Sequence, residues 1–197
     1  MKNILNLFFF SEKAFLSYLR GKIILGKNIR IDLKSRIYNQ NGVITIGNNV
    51  YLRSSVKGYQ AGMPFPTTLL IDMKGASISI GDNTRINGAY IHAQQGILIG
   101  RNCVIASGVQ IIDSNGHILL SPNRTIGRDL PEEIKIGNNV WIGLNAIILK
   151  GSIIGDNCVV SAGSIVKGKF DANSLIVGNP AVVVKTLEIN NYETSHP

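Results

Sequence analysis

The stretch from Ile136 to Val166, IGNNVWIGLNAIILKGSIIGDNCVVSAGSIV, decides the fold. Within it Ile136, Ile142, Ile148, Ile154, Val160 and Val166 stand at a fixed spacing of six. A helix needs apolar positions three and four apart, and a hairpin strand alternates every second residue, so a step of six suits neither. It suits short flat strands, each sending one aliphatic side chain inward, joined by tight corners that Gly or Asn can make. Three such strands close one coil. Stacked coils bury their aliphatic columns and pair each strand with the coil above and below. The expected fold is therefore all-β, a parallel β-helix.

Working outward, the pattern aliphatic–Gly–any–Asn occurs six times, starting at Leu25, Ile46, Ile80, Ile99, Ile136 and Ile154. The intervals are 21, 34, 19, 37 and 18 residues, and the shortest equals three units of six. Four residues into each copy stand Ile29, Val50, Thr84, Cys103, Val140 and Cys158, all small or medium and all expected to point inward. The two longest intervals predict inserted loops, one at about Lys57 to Thr68 and one at about Asp113 to Glu133. Loops on a rigid scaffold are where function tends to sit.

Composition agrees with this reading. Apolar residues make up 45% of the 197, and charged residues only 16%, below the usual quarter. The net charge of +8 implies a negatively charged partner, such as a phosphate-bearing cofactor, a nucleic acid, an acidic glycan or a membrane surface. No stretch of 18 apolar residues predicts a membrane span. Residues 1–22 are expected to form an amphipathic helical segment, because the greasy run Ile4 to Phe10 is followed by Ser11, Glu12 and Lys13. That helix would pack on the body of the protein, on a neighbouring copy, or at a membrane surface. Residues 187–197 read as a polar tail carrying His196, expected to be disordered. Two cysteines supply neither a disulfide framework nor a zinc set and fit a reducing, cytoplasmic setting.

The six copies in register, covering residues 23–186, resemble the hexapeptide-repeat acyltransferases. They are most similar to those that acetylate sugars and surface polysaccharides. The resemblance implies a left-handed prism of about six to seven coils with a short N-terminal helix and two inserted loops. It also implies acetyl-coenzyme A as co-substrate, no metal, a homotrimer, and a site between neighbouring chains.

Moving an acetyl group from a thioester to a hydroxyl needs a general base and donors for the developing oxyanion. His117, in Asp113-Ser114-Asn115-Gly116-His117 of the second insertion, is the candidate base, since imidazole titrates near neutral pH. Outside this context it would read as a solvated loop histidine. The resemblance puts the catalytic histidine in this loop, ahead of Asn139-Val140-Trp141-Ile142-Gly143. Asp113 would orient the imidazole or bind acceptor, although such strings also form ordinary turns. Asn87, in Arg85-Ile86-Asn87-Gly88-Ala89, resembles the asparagine that holds the acceptor; a corner Asn is the plainer reading. Trp141 follows an inward Val140 and should be exposed. The resemblance places it in the cleft between subunits. It also assigns the coenzyme to backbone around Gly143 and Ala162, to Lys185, and to the edge that includes Lys167. Lys167 stands where a threonine is frequent and Leu144 where a small residue is common.

Other signals carry less. His92 should face outward in a structural role, and Cys103 and Cys158 share an inward column. Gly163 to Lys169 reads G-x-x-x-x-G-K, but Phe170 replaces the Ser or Thr that magnesium needs. Three histidines, one in the tail, do not furnish a zinc-dependent β-helix enzyme. No reader motif interleaves aromatics with basic residues, so nucleic acid is not expected. The alternative within the same fold is N-acetylation of a nucleotide-linked amino sugar, and acceptor chemistry is not visible in sequence.

Overall fold

A computed structural model describes residues 20–188, and among them no α-helix occurs. The expected N-terminal helix, its membrane contact and the His196 tail fall mainly on residues 1–19 and 189–197, outside the described residues. The helical segment was expected to run to residue 22, but Lys22 already opens the first strand.

Seven coils stack. Coil 1 is β1 (Lys22–Leu25), β2 (Arg30–Ile31) and β3 (Arg36–Asn39), and coil 2 is β4 (Val43–Ile46), β5 (Tyr51–Arg53) and β6 (Thr68–Ile71). Coil 3 is β7 (Ser77–Ile80), β8 (Arg85–Asn87) and β9 (Tyr90–Ala93), and coil 4 is β10 (Gly96–Ile99), β11 (Val104–Ile105) and β12 (Gln110–Ile112). Coil 5 is β13 (Ile134–Ile136), β14 (Trp141–Ile142) and β15 (Ile147–Leu149), and coil 6 is β16 (Ile153–Ile154), β17 (Val159–Val160) and β18 (Ile165–Val166). Coil 7 has β19 (Lys169–Phe170) and β20 (Ser174–Gly178), after which β21 (Ala181–Thr186) doubles back antiparallel on β20. First strands of each coil form sheet 1, second strands with β21 form sheet 2, and third strands form sheet 3. All other pairings are parallel, as the repeat requires. The antiparallel β21 was not anticipated.

The six residues at the six-residue step, from Ile136 to Val166, are each at most 1% exposed. They join one continuous core with Ile44, Leu69, Ile91 and Ile111. Cys103 and Cys158 are buried in the predicted column, and burial raises both thiols above their ordinary range.

The corner from sheet 1 to sheet 2 explains the pattern aliphatic–Gly–any–Asn. The Asn is left-handed in every copy: Asn28, Asn49, Asn83, Asn102, Asn139 and Asn157 have φ between 53° and 60°. Asn tolerates this conformation better than other L-residues with a β carbon. The side chains also stack: Asn28 Nδ2 donates to Asn49 at 3.1 Å, Asn49 to Asn83 at 2.9 Å, and Asn139 to Asn157 at 3.0 Å. The Gly lies where the next coil passes. A β carbon on Gly81 would meet Arg101 N and Gly100 C, both at 2.6 Å. In coil 7 Asp171 takes the glycine's place, and Asn173, again left-handed at φ 60°, ends the ladder with Asn157.

The insertions leave at two other corners. The second spans residues 113–133, as expected. The first begins at Ser54, three residues earlier than expected, and ends at Thr67, because Thr68 already belongs to β6. Ser54 is drawn in by Ser35, Oγ to Oγ at 2.7 Å, and its hydroxyl accepts from Thr67 N at 2.9 Å.

Gly81→Ala should lower stability by about 1–3 kcal/mol, since the obstacle is backbone that cannot rotate away. Gly62→Ala, where nothing lies within 4 Å, serves as the neutral comparison. Denaturant midpoints of the two variants measure the difference, and equal midpoints would contradict the close-approach account.

Candidate active site

The corner from sheet 2 to sheet 3 carries Asn87, Gly143 and Ala162, and Trp141 and Lys185 lie on the outer face of sheet 2 beside it. Asn87 ends β8 there, buried, with Nδ2 donating to Ile105 O at 2.9 Å. Gly88 follows at φ 59°, and its N–H donates to Thr67 Oγ1 at 2.9 Å. The first insertion covers this level: Met63 lies against Gly88, Pro64 reaches within 3.5 Å of a β carbon built on Gly108, and Ser107 N donates to Tyr59 Oη at 3.1 Å. Above it, among the described residues, the corner is open, with nothing within 4 Å of a β carbon built on Gly163. Gly143 comes so close to the coil above that a β carbon would meet Ala162 N at 2.6 Å. Ala162 is exposed, and Trp141, the last aromatic before the corner, is 55% exposed, as expected of an outward position. Trp141, Val159, Leu175 and Lys185 are successive register partners on sheet 2. Three steps between strands, roughly 14 Å, therefore separate the indole from the exposed lysine, giving an uncovered track with a cation at its end.

His117 lies elsewhere. Its loop leaves the corner from sheet 3 to sheet 1, between β12 and β13. The ring is exposed, and Nδ1 lies 2.7 Å from Arg124 O. A carbonyl can only accept, so Nδ1 carries the proton and Nε2 presents its lone pair outward. The loop is tethered close by. Asp129 accepts from Asn115 N at 2.9 Å and Gly116 N at 3.1 Å, and Lys150 Nζ reaches Asp129 at 2.9 Å and Leu130 O at 2.8 Å. Burial pushes the Asp129 carboxyl up, but the Asn115 amide and the Lys150 ammonium outweigh it and hold the carboxyl below its usual range. Sequence reasoning missed Asp129, Lys150 and the Arg124 carbonyl, because a tether formed across 20 residues or by backbone leaves no motif.

Two expectations need correction. Asp113 does not orient His117. It is fully buried, and its carboxylate accepts from the backbone of Gln94, Gln95 and Gly96, each at 2.8 Å, fastening the preceding coil's corner. Lys167 does not join Trp141, Gly143 and Ala162. It follows β18, so it sits at the corner from sheet 3 to sheet 1, on His117's side of the molecule. His92 faces outward as expected, with Nε2 3.0 Å from Asp72, which also meets Arg128 of the second insertion at 3.4 Å. Among the described residues no group of three His, Cys, Asp or Glu could hold a metal ion.

Two family models match these coils: a succinyl-transferase hexapeptide repeat over residues 77–112, and the bacterial transferase hexapeptide of six repeats over residues 133–168. The chain carries the hexapeptide repeat over these two segments. Its fold is the left-handed parallel β-helix. A putative lipopolysaccharide biosynthesis O-acetyl transferase, WbbJ, from Escherichia coli K12 is 34% identical over 127 residues, which are 59% of this chain and 63% of that protein. Galactoside O-acetyltransferase from the same organism is 38% identical over 118 residues, 59% of this chain and 57% of the other. A solved hexapeptide-repeat acetyltransferase from Vibrio cholerae, complexed with acetyl coenzyme A, aligns with TM-score 0.53 at 31% identity. It covers 57% of this chain and 61% of that one. In each case the match spans less than two thirds of the relative's own length.

The Asp129 tether has a definite pH dependence. Its carboxyl is lowered in the folded protein, so its contribution is present above the usual carboxylate range and is lost as pH falls below about 4. Protection of residues 114–130 from hydrogen exchange, relative to the intrinsic rate at each pH, should hold from pH 8 to about pH 5 and fall below it. Asp129→Asn should show low protection at every pH; a variant protected like the parent would remove the tether from the account.

Proposed function

We propose that this hexapeptide-repeat chain is an acetyl-CoA-dependent O-acetyltransferase that modifies a saccharide hydroxyl in surface-polysaccharide synthesis and works as a homotrimer. The observation that carries this is the position of the two half-sites. The track of Trp141, Gly143, Ala162 and Lys185 borders sheet 3 on one side, and His117 borders it on the other.

The outer face of sheet 3 is apolar in coils 5 and 6, where Ile147, Leu149 and Ile165 lie, and mixed below them, where Arg36, Thr68, Gln110 and His92 stand among Tyr38, Leu70 and Ile112. A depression of about 410 Å³ beside Tyr38, Leu70, Tyr90 and Phe65 roughens it. Sheet 1 presents Lys22, Thr45, Ser77, Ser79 and Lys135 alongside exposed Ile24, Val43 and Leu98. The His117 loop adds Leu119, Leu120, Ile126 and Leu130, between 67% and 90% exposed. A surface this apolar favours burial against a second protein surface. Three prisms turning sheet 3 toward a common axis bring the His117 corner of each against the glycine corner of its neighbour. That arrangement completes three sites and covers the loop's leucines. It also restores Lys167 to a neighbour's track.

In such a site acetyl-CoA lies along the open corner, with its phosphates toward Lys185 and its thioester near Trp141 and Gly143. The co-substrate supplies the acyl group. Asn87 orients the acceptor. His117 Nε2 takes the hydroxyl proton as oxygen attacks the thioester carbonyl; the C–S bond then breaks, and the proton passes to the departing thiolate. Arg124 O keeps the proton on Nδ1 before the step and steadies the imidazolium during it. A co-substrate made in the cytoplasm places the reaction there. The relatives named O-acetyl transferase and O-acetyltransferase support oxygen as the nucleophile.

His117→Ala should lower kcat by roughly 10²–10⁴ with coenzyme A affinity unchanged, read by thiol release and titration. Near-parental turnover would refute the base assignment. A sharper check mixes inactive His117→Ala chains with inactive Ala162→Glu chains after unfolding. Random trimers should regain about a quarter of parental activity, because one interface in four then joins two intact halves. No recovery, with trimers present, would mean each chain carries a complete site.

A further inference from the structure

Below Trp141 the outer face of sheet 2 changes character. Val104, Arg85, Tyr51 and Arg30 continue the Trp141 column through coils 4, 3, 2 and 1, and Arg53 stands beside Tyr51 as the register partner of Asn87. The guanidinium carbons of Arg30 and Arg53 lie 4.4 and 4.8 Å from the centre of the same Tyr51 ring, and that of Arg53 lies 5.7 Å from the Tyr59 ring. Arg53 is held further by a bond from one guanidinium nitrogen to Lys57 O at 3.0 Å, while its Nε is buried with no partner. Arg85 and Lys57 are exposed. The nearby acid, Asp32, accepts from Tyr51 Oη and Ser54 N, each at 3.0 Å, and forms no ion pair with these arginines. Among the described residues none of these four cations is ion-paired, whereas Lys135, Lys150 and Arg128 all are. Two guanidinium groups thus share one ring, and neither is paired with an acidic side chain among the described residues.

We propose that the acceptor is an anionic saccharide that runs from Asn87 down this strip, its charged groups held by Arg85, Arg53 and Arg30. This rests on the acetyl-transfer reading above and names its substrate class. Stacking on Tyr51 fixes the guanidinium planes in advance, so less side-chain freedom is lost when they grip an oxyanion. Planar guanidinium forks match carboxylate and phosphate oxygens alike. Arg85 lies two strand steps, roughly 10 Å, from Trp141, and Arg30 about as far again, so the anions sit away from the reacting hydroxyl. The charge thus selects the acceptor and leaves the proton transfer to His117.

Titration of the intact protein with oligogalacturonate, its neutral methyl ester, UDP-galactose and a dT10 oligonucleotide tests this. An anionic saccharide probe should bind at least about tenfold tighter than the methyl ester and weaken with salt. Arg30→Gln/Arg53→Gln should bring it to the neutral level while melting temperature and coenzyme A affinity hold, and the Lys versions should keep part of the affinity. Preference for oligogalacturonate identifies carboxylates as the source, and preference for UDP-galactose identifies phosphates. The proposal fails if the methyl ester binds as well, if neither anionic saccharide binds, if the Gln variants bind unchanged, or if dT10 binds most tightly. A protein that binds oligogalacturonate through these arginines but never releases thiol from acetyl-CoA overturns the transfer reading and leaves this one standing. Acetyl transfer that is equal for neutral and acidic acceptors and unaffected by the Gln variants overturns this one alone.

Discussion

Everything in this molecule depends on how closely one coil can lie on the next. At the first corner the chain reverses on a left-handed asparagine, and the glycine before it leaves room for the backbone overhead. With both in place the strands pair in strict register, the aliphatic columns meet, and the asparagine amides bond to one another along the corner. Without the glycine's space the coils would have to part, and every ladder bond at that level would lengthen together. The repeat is therefore a record of clearance as much as of hydrophobicity.

Strict register has a second effect. It distributes residues among three faces by their place in the 18-residue unit, so a side chain's surroundings depend on which strand it follows. Trp141 and Lys185 share a column although 44 residues apart, whereas Lys167, only five residues from Ala162, stands at a different corner. The His117 corner and the glycine corner flank sheet 3 because the second insertion leaves after β12, the third strand of coil 4. The same column carries the arginine strip at its other end.

Much of this was legible in the sequence. The six-residue step gave the strands, the interval lengths placed both insertions, and inward positions such as Cys103 and Val140 followed from simple counting. The exposure of Trp141 followed from its neighbour pointing in. What could not be read were contacts made by backbone or across long separations. Asp113 sits in a string typical of a turn near a histidine, yet its carboxylate binds three amides of the preceding coil, which no local pattern reveals. Asp129 and Lys150 meet only because a loop folds back on coil 5. Lys167 was grouped with Ala162 through the resemblance, and within one chain the three-cornered coil sets the two at different corners. The return strand β21 was hidden because Val182, Val183 and Val184 break the rhythm of six.

In coil 7 the glycine of the pattern is replaced by Asp171, while Asn173 still turns the chain. A β carbon is tolerated there because, among the described residues, no further first strand lies above β19. The height of the tower is thus written in the chain itself: wherever the small residue persists another storey must follow, and the first bulky substitute marks the roof.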